Sequence, residues 1–109
     1  MNDMGTDILI VKGLKDSLRN EFGENVREVI LFGSRLSEKA GEFSDYDVLI
    51  ILKQKPDWIE KRKISEICYE IELQNEILID SHILSVSEVG SLRGKQPVFQ
   101  KAIREGIHV

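Results

Sequence analysis

The chain has 109 residues, 41% of them hydrophobic and 31% charged, the balance of one soluble globular domain and too short for two ordinary ones. Fifteen Lys and Arg against nineteen Asp and Glu leave a formal charge of −4, which speaks against direct nucleic-acid binding through phosphate contacts. One cysteine and two histidines exclude an intrachain disulfide, a multi-cysteine zinc site and a histidine-rich metal centre, so any metal must rest on carboxylates.

The first segment, about Asp7 to Phe22, puts Val11, Leu14, Leu18 and Phe22 on one side and is expected to be an amphipathic helix ended by Gly23. Val26 to Phe32 is a β-rich run that stops at Gly33-Ser34. Tyr46 to Leu52 is almost continuously apolar, as in a central strand covered on both faces. Pro56-Asp57 breaks the chain, and Asp57 with Glu60 forms a capping box for a helix that buries Ile64, Ile67, Cys68 and Ile71. Ile77 to Leu84 is expected to be a third strand, largely buried. Pro97 to Glu105 reads as a short helix with Phe99, Ala102 and Ile103 on its apolar side and Gly106 at its cap.

The predicted order is helix, strand, strand, helix, strand, helix. That is an α/β (α+β) domain in two or three layers, a small mixed β-sheet flanked by helices, with residues 1–109 read as a single domain. The apolar runs Ile8–Val11 and Val48–Leu52 are too short to span a membrane, and the opening residues lack a basic segment before an apolar one. A cytoplasmic location is therefore expected.

Chemistry concentrates at three places. Gly33-Ser34-Arg35 follows a strand directly, ten residues separate Ser34 from Asp45, and Asp45 and Asp47 open the next strand. Positions i and i+2 of a strand project from one face, about 6.6 Å apart along the backbone, so both carboxylates can converge on one divalent ion or on a pair of them. Asp80 is the acidic residue inside the third strand. A buried charge there needs a partner such as a metal. Gly33 lets the backbone approach a ligand, Ser34 offers a hydroxyl and an N–H, and Arg35 supplies a fork suited to phosphate. Together these are the parts of a phosphoryl-type transfer site.

Leu31-Phe32-Gly33-Ser34-Arg35 followed by Asp45-Tyr46-Asp47-Val48-Leu49-Ile50 resembles the signature of the minimal nucleotidyltransferases of the DNA polymerase β-like superfamily. Phe99 to Gly106 is similar to that family's C-terminal end. The resemblance implies the nucleotidyltransferase fold, with Asp45 and Asp47 binding two Mg2+ ions (or Mn2+). It implies Asp80 as the third carboxylate, activating an acceptor hydroxyl, and Gly33 and Ser34 holding the phosphates of ATP. It further implies a HEPN-domain toxin as partner, with the chain acting as antitoxin by transferring AMP to it. Small size supports a protein acceptor independently, since little surface remains to enclose one; self-association stays open.

Plainer readings stand beside these. Asp45 and Asp47 serve elsewhere as turn residues, Asp80 as a hydrogen-bonded carboxylate, and Arg35 as a solvated surface group. His82 shares the face of Asp80 but is read as a strand residue without a chemical role. Cys68 is core packing, Trp58 covers the core edge or marks a protein contact, and the lysine-rich group from Lys53 to Lys63 is a solvated face. The rival functions are a non-catalytic module that blocks a toxin by contact and a metal-dependent nuclease, which would leave the Gly-Ser element without a task.

Overall fold

A computed structural model describes residues 4–33, 45–91 and 93–109. Helix α1 (Met4–Phe22) runs into a single 3-10 turn, where Gly23 adopts φ +60°, the left-handed conformation that ends helices. Strand β1 (Val26–Phe32) and strand β2 (Tyr46–Leu52) follow with the expected bounds. Helix α2 (Trp58–Asn75), strand β3 (Ile79–Ser85), a one-turn helix α3 (Val86–Val89), helix α4 (Pro97–Glu105) and strand β4 (Ile107–His108) complete the chain.

The four strands form one mixed sheet in the order β3-β2-β1-β4. β1 is antiparallel to both β2 and β4, whereas β2 and β3 are parallel, which requires the helical crossover that α2 supplies. Two apolar clusters cover the sheet. On one face α1 and α2 contribute Val11, Leu14, Leu18, Ile64, Cys68 and Ile71 against Val29, Leu31, Val48 and Ile50. On the other face α4 sets Phe99 and Ala102 against Ile30, Phe32, Leu49, Ile51 and Leu84. The domain thus has three layers, and β2 is central and covered on both sides, as its apolar run predicts. Burial pushes the Cys68 thiol up to about 11, so it is a packed and unreactive side chain. Among the described residues no helix is long and apolar enough to cross a membrane.

Two expectations need correction. The sheet has a fourth strand, β4, whose two residues are too few to show any alternation in the sequence. β3 begins at Ile79, not Ile77, and lies at the sheet edge with only Leu84 and Ser85 buried. Leu78 is 63% exposed. Asp80 is exposed as well, so a cost of burial is not what makes it call for a metal.

Local chemistry fixes the ends of the elements. Asp57 Oδ1 accepts from the Glu60 amide at 2.8 Å, and the Glu60 carboxylate accepts from the Asp57 amide at 3.1 Å. Asp57→Ala is expected to cost about 1 kcal/mol, read as a fall in denaturant midpoint at unchanged slope.

β4 is pinned differently. The His108 ring faces Glu28 Oε1 at 2.7 Å and the Ile103 carbonyl at 2.9 Å, and only the doubly protonated imidazole donates to both. The Ile103 carbonyl, then Glu28, raise its pKa above the ordinary value. A raised folded pKa gives stability that is fully present below about pH 6.5 and is lost as pH climbs through the folded value. The melting temperature of wild type should therefore exceed that of His108→Gln by more at pH 5.5 than at pH 8.5. The pair is solvated, so the effect stays within about 1 kcal/mol.

Candidate active site

The site lies at the end of the sheet where β1 finishes and β2 and β3 begin, on the face covered by α4. Asp47 pairs with Asp80 across the parallel ladder, and the backbone amide of Tyr46 donates to the Leu78 carbonyl at 2.9 Å, holding the two strand starts level. Oxygen atoms of Asp47 and Asp80 and a ring nitrogen of His82 all lie within 4.8 Å of one another. Two carboxylates and an imidazole at that spacing are a suitable donor set for a divalent ion.

Gly33 explains how Asp47 fits. It sits directly after β1 at φ +81°, and a Cβ built there would collide with the Asp47 carboxylate, 2.9 Å from its Cγ and 3.0 Å from its Cβ. The carboxylate occupies the space that the missing side chain leaves. Position 33 has to be glycine for both reasons.

A pocket of about 690 Å³ opens here, with Phe32, Gly33, Asp47, Asp80 and His82 on the sheet side. Val98, Lys101, Ala102, Glu105 and Gly106 close it from the α4 side. Gly106 permits that approach: a Cβ on it would strike the Ala102 carbonyl and come within 2.5 Å of Ile30 Cγ2. Lys101 is the one lysine or arginine among the described lining residues and reaches Glu105 at 4.0 Å. It brings positive charge to a rim otherwise set by carboxylates.

The expected site residues are placed as follows. Asp47 and Asp80 come together, beside Gly33. Asp45 stands one residue before β2, exposed, and is not part of the close cluster. Ser34 and Arg35 lie outside the described residues. His82, read from the sequence as a strand residue without a chemical role, joins the cluster instead. Its signal was the period-2 face shared with Asp80.

The α4 residues Val98 and Lys101 gave no signal of their own, since a helix far along the chain reaches the site only through the fold. A second positioning contact was equally silent. The Tyr46 hydroxyl donates to Asp7 Oδ1 at 2.6 Å, both side chains being buried, and so ties α1 to the residue preceding Asp47.

Residues 12–107 match the family model described as polymerase beta nucleotidyltransferase. A candidate protein adenylyltransferase of Methanocaldococcus jannaschii is 39% identical over 72 residues, covering 66% of this chain and 73% of that protein. The chain belongs to the polymerase β nucleotidyltransferase family. More narrowly, it is a minimal nucleotidyltransferase of the DNA polymerase β-like type.

Proposed function

We propose that this nucleotidyltransferase moves AMP from ATP to a hydroxyl on a partner protein in the cytoplasm. The observation that supports the site most strongly is the pairing of Asp47 with Asp80 above Gly33, within one pocket large enough for a nucleotide. A protein acceptor is supported by the similarity to a chain named as a protein adenylyltransferase. The acceptor is a HEPN-domain toxin, for which this chain serves as the antitoxin; that assignment comes from the family resemblance.

The roles follow from position. Asp47 and Asp80, with Asp45 at the strand entrance, hold Mg2+, which supplies charge neutralisation for the triphosphate when bound. Gly33, Ser34 and Arg35 form the phosphate side, the last two on the strength of the sequence alone. In each turnover the acceptor oxygen bonds to the α-phosphorus, the bond from that phosphorus to the bridging oxygen breaks, and pyrophosphate leaves. Asp80, the exposed carboxylate of the cluster, activates the acceptor hydroxyl by drawing its proton. Lys101 offers its charge to the outer phosphates from the opposite wall.

The test uses ATP labelled at the α-phosphate, Mg2+ and the protein encoded beside this one. Label should appear on the neighbour, and Asp45→Ala with Asp47→Ala should abolish it while binding of the neighbour persists. If the unlabelled double variant neutralises a toxin as well as wild type does, the chain acts by contact and the transfer reading is lost. Breakdown of added RNA or DNA that depends on Mg2+ and Asp47 would make it a nuclease.

A further inference from the structure

We infer that His82 is a direct ligand of the divalent ion held by Asp47 and Asp80, and that its nitrogen turns the site toward first-row transition ions, Mn2+ among them, over Mg2+. This deepens the preceding reading and rests on the carboxylates binding a metal. The ring nitrogen Nε2 stands 3.5 Å from Asp80 Oδ2, beyond the usual hydrogen-bond range of about 2.7–3.2 Å. The two groups meet at ion-pair distance and not in a tight hydrogen bond, so an ion between them displaces only that loose contact.

The imidazole is also held in place. Its centroid lies 5.8 Å from that of Phe32 and 5.7 Å from that of Phe99, the second contact edge-on. A ring set between β1 and α4 has fewer rotamers to lose than a free one. Its nitrogen is presented to the carboxylates at a reduced ordering cost. Phe32 and Phe99 are themselves buried, so the support is rigid.

The donor set then decides the ion. Mg2+ takes oxygen ligands and sheds water reluctantly, whereas imidazole suits iron, nickel, copper and zinc, and Mn2+, the weakest binder of that row, takes a nitrogen when carboxylates already hold it. Two carboxylates and one nitrogen at one end of the pocket make a mixed site, in which the carboxylates serve Mg2+ and the nitrogen adds little for it.

The experiment uses the full chain with Mn2+ as probe and pulsed electron paramagnetic resonance to detect nitrogen bound to the ion. Because the chain has only two histidines, His82 and His108, the source is assignable. Coordinated-nitrogen modulation is expected in wild type and in His108→Gln, moves to the 15N frequency with labelled histidine, and vanishes in His82→Gln. His82→Gln should also lower Mn2+ affinity about tenfold or more, with Mg2+ affinity changed by less than about threefold.

Mn2+ that Asp47→Asn releases but that shows no nitrogen modulation overturns the His82 assignment and leaves the carboxylate reading standing. So does modulation that disappears in His108→Gln. Absence of Mn2+ binding, or binding that Asp47→Asn does not weaken, removes the carboxylate reading and the inference with it. Wild type and His108→Gln carry the deciding signals, so a poorly folded His82→Gln does not spoil the test.

Discussion

Asp47→Asn lowers nucleotide transfer by about a thousandfold or more, while the melting temperature stays close to that of wild type. The amide keeps the shape of the carboxylate, so Gly33 still accommodates it, but the charge that faces Asp80 is gone. A group that stabilises charge in a preorganised site is worth several kcal/mol in the transition state, more than one half-buried carboxylate replaced by its isosteric amide costs in folding. Asp47 is central to this because β2 is an interior strand and Asp47 lies between Gly33 on one side and Asp80 on the other. The measurement is the rate of label transfer at saturating ATP, alongside thermal denaturation. Transfer within tenfold of wild type would move the chemistry away from this cluster. Asp80→Asn should follow the same direction.

Much of this geometry was legible in the residues. Tyr46 to Leu52 has to be an interior strand because an almost unbroken apolar run has no solvent face, and the period of two sets Asp47 on the face of Leu49 and Ile51, whereas Asp45 stands one residue before the strand. Asp57 and Glu60 mark the start of α2 through capping chemistry that acts locally, and the structure contains both hydrogen bonds. Gly33 was read as a place of close approach; the structure shows that what approaches is Asp47.

What remained hidden depends on distant parts of the chain. His82 gains its interest from Phe32 and Phe99, which lie 50 residues before it and 17 after it in the sequence and meet it only once α4 packs on the sheet. The exposure of Asp80 follows from β3 being an edge strand, and strand order is a property of the assembled sheet. β4 has two residues, and its pairing with β1 is secured by His108 reaching Glu28 across the fold, with the nearby Ile103 carbonyl on its other nitrogen. Local patterns specify elements; they do not say which wall of a pocket a helix will build.

Gly33→Ala tests whether that glycine and Asp47 act as a unit. The substitution forces an L side chain to φ +81°, which costs about 1–3 kcal/mol in itself. It also places a methyl group where the Asp47 carboxylate now sits, and the nearest atom it meets, Asp47 Oδ2, is at the far end of a side chain that can rotate away. The chain should therefore still fold, with its carboxylate displaced from Asp80. A misplacement of about 1 Å in a reacting site is worth roughly a hundredfold in rate, so the loss of activity should exceed what the loss of stability accounts for. The two contributions separate in a double-mutant cycle. In an Asp47→Ala background the obstructing Cγ and oxygens are gone, so Gly33→Ala should cost less stability than in wild type and leave mainly the backbone strain. Equal costs in the two backgrounds would show that the glycine serves the turn alone and that Asp47 finds its place without it.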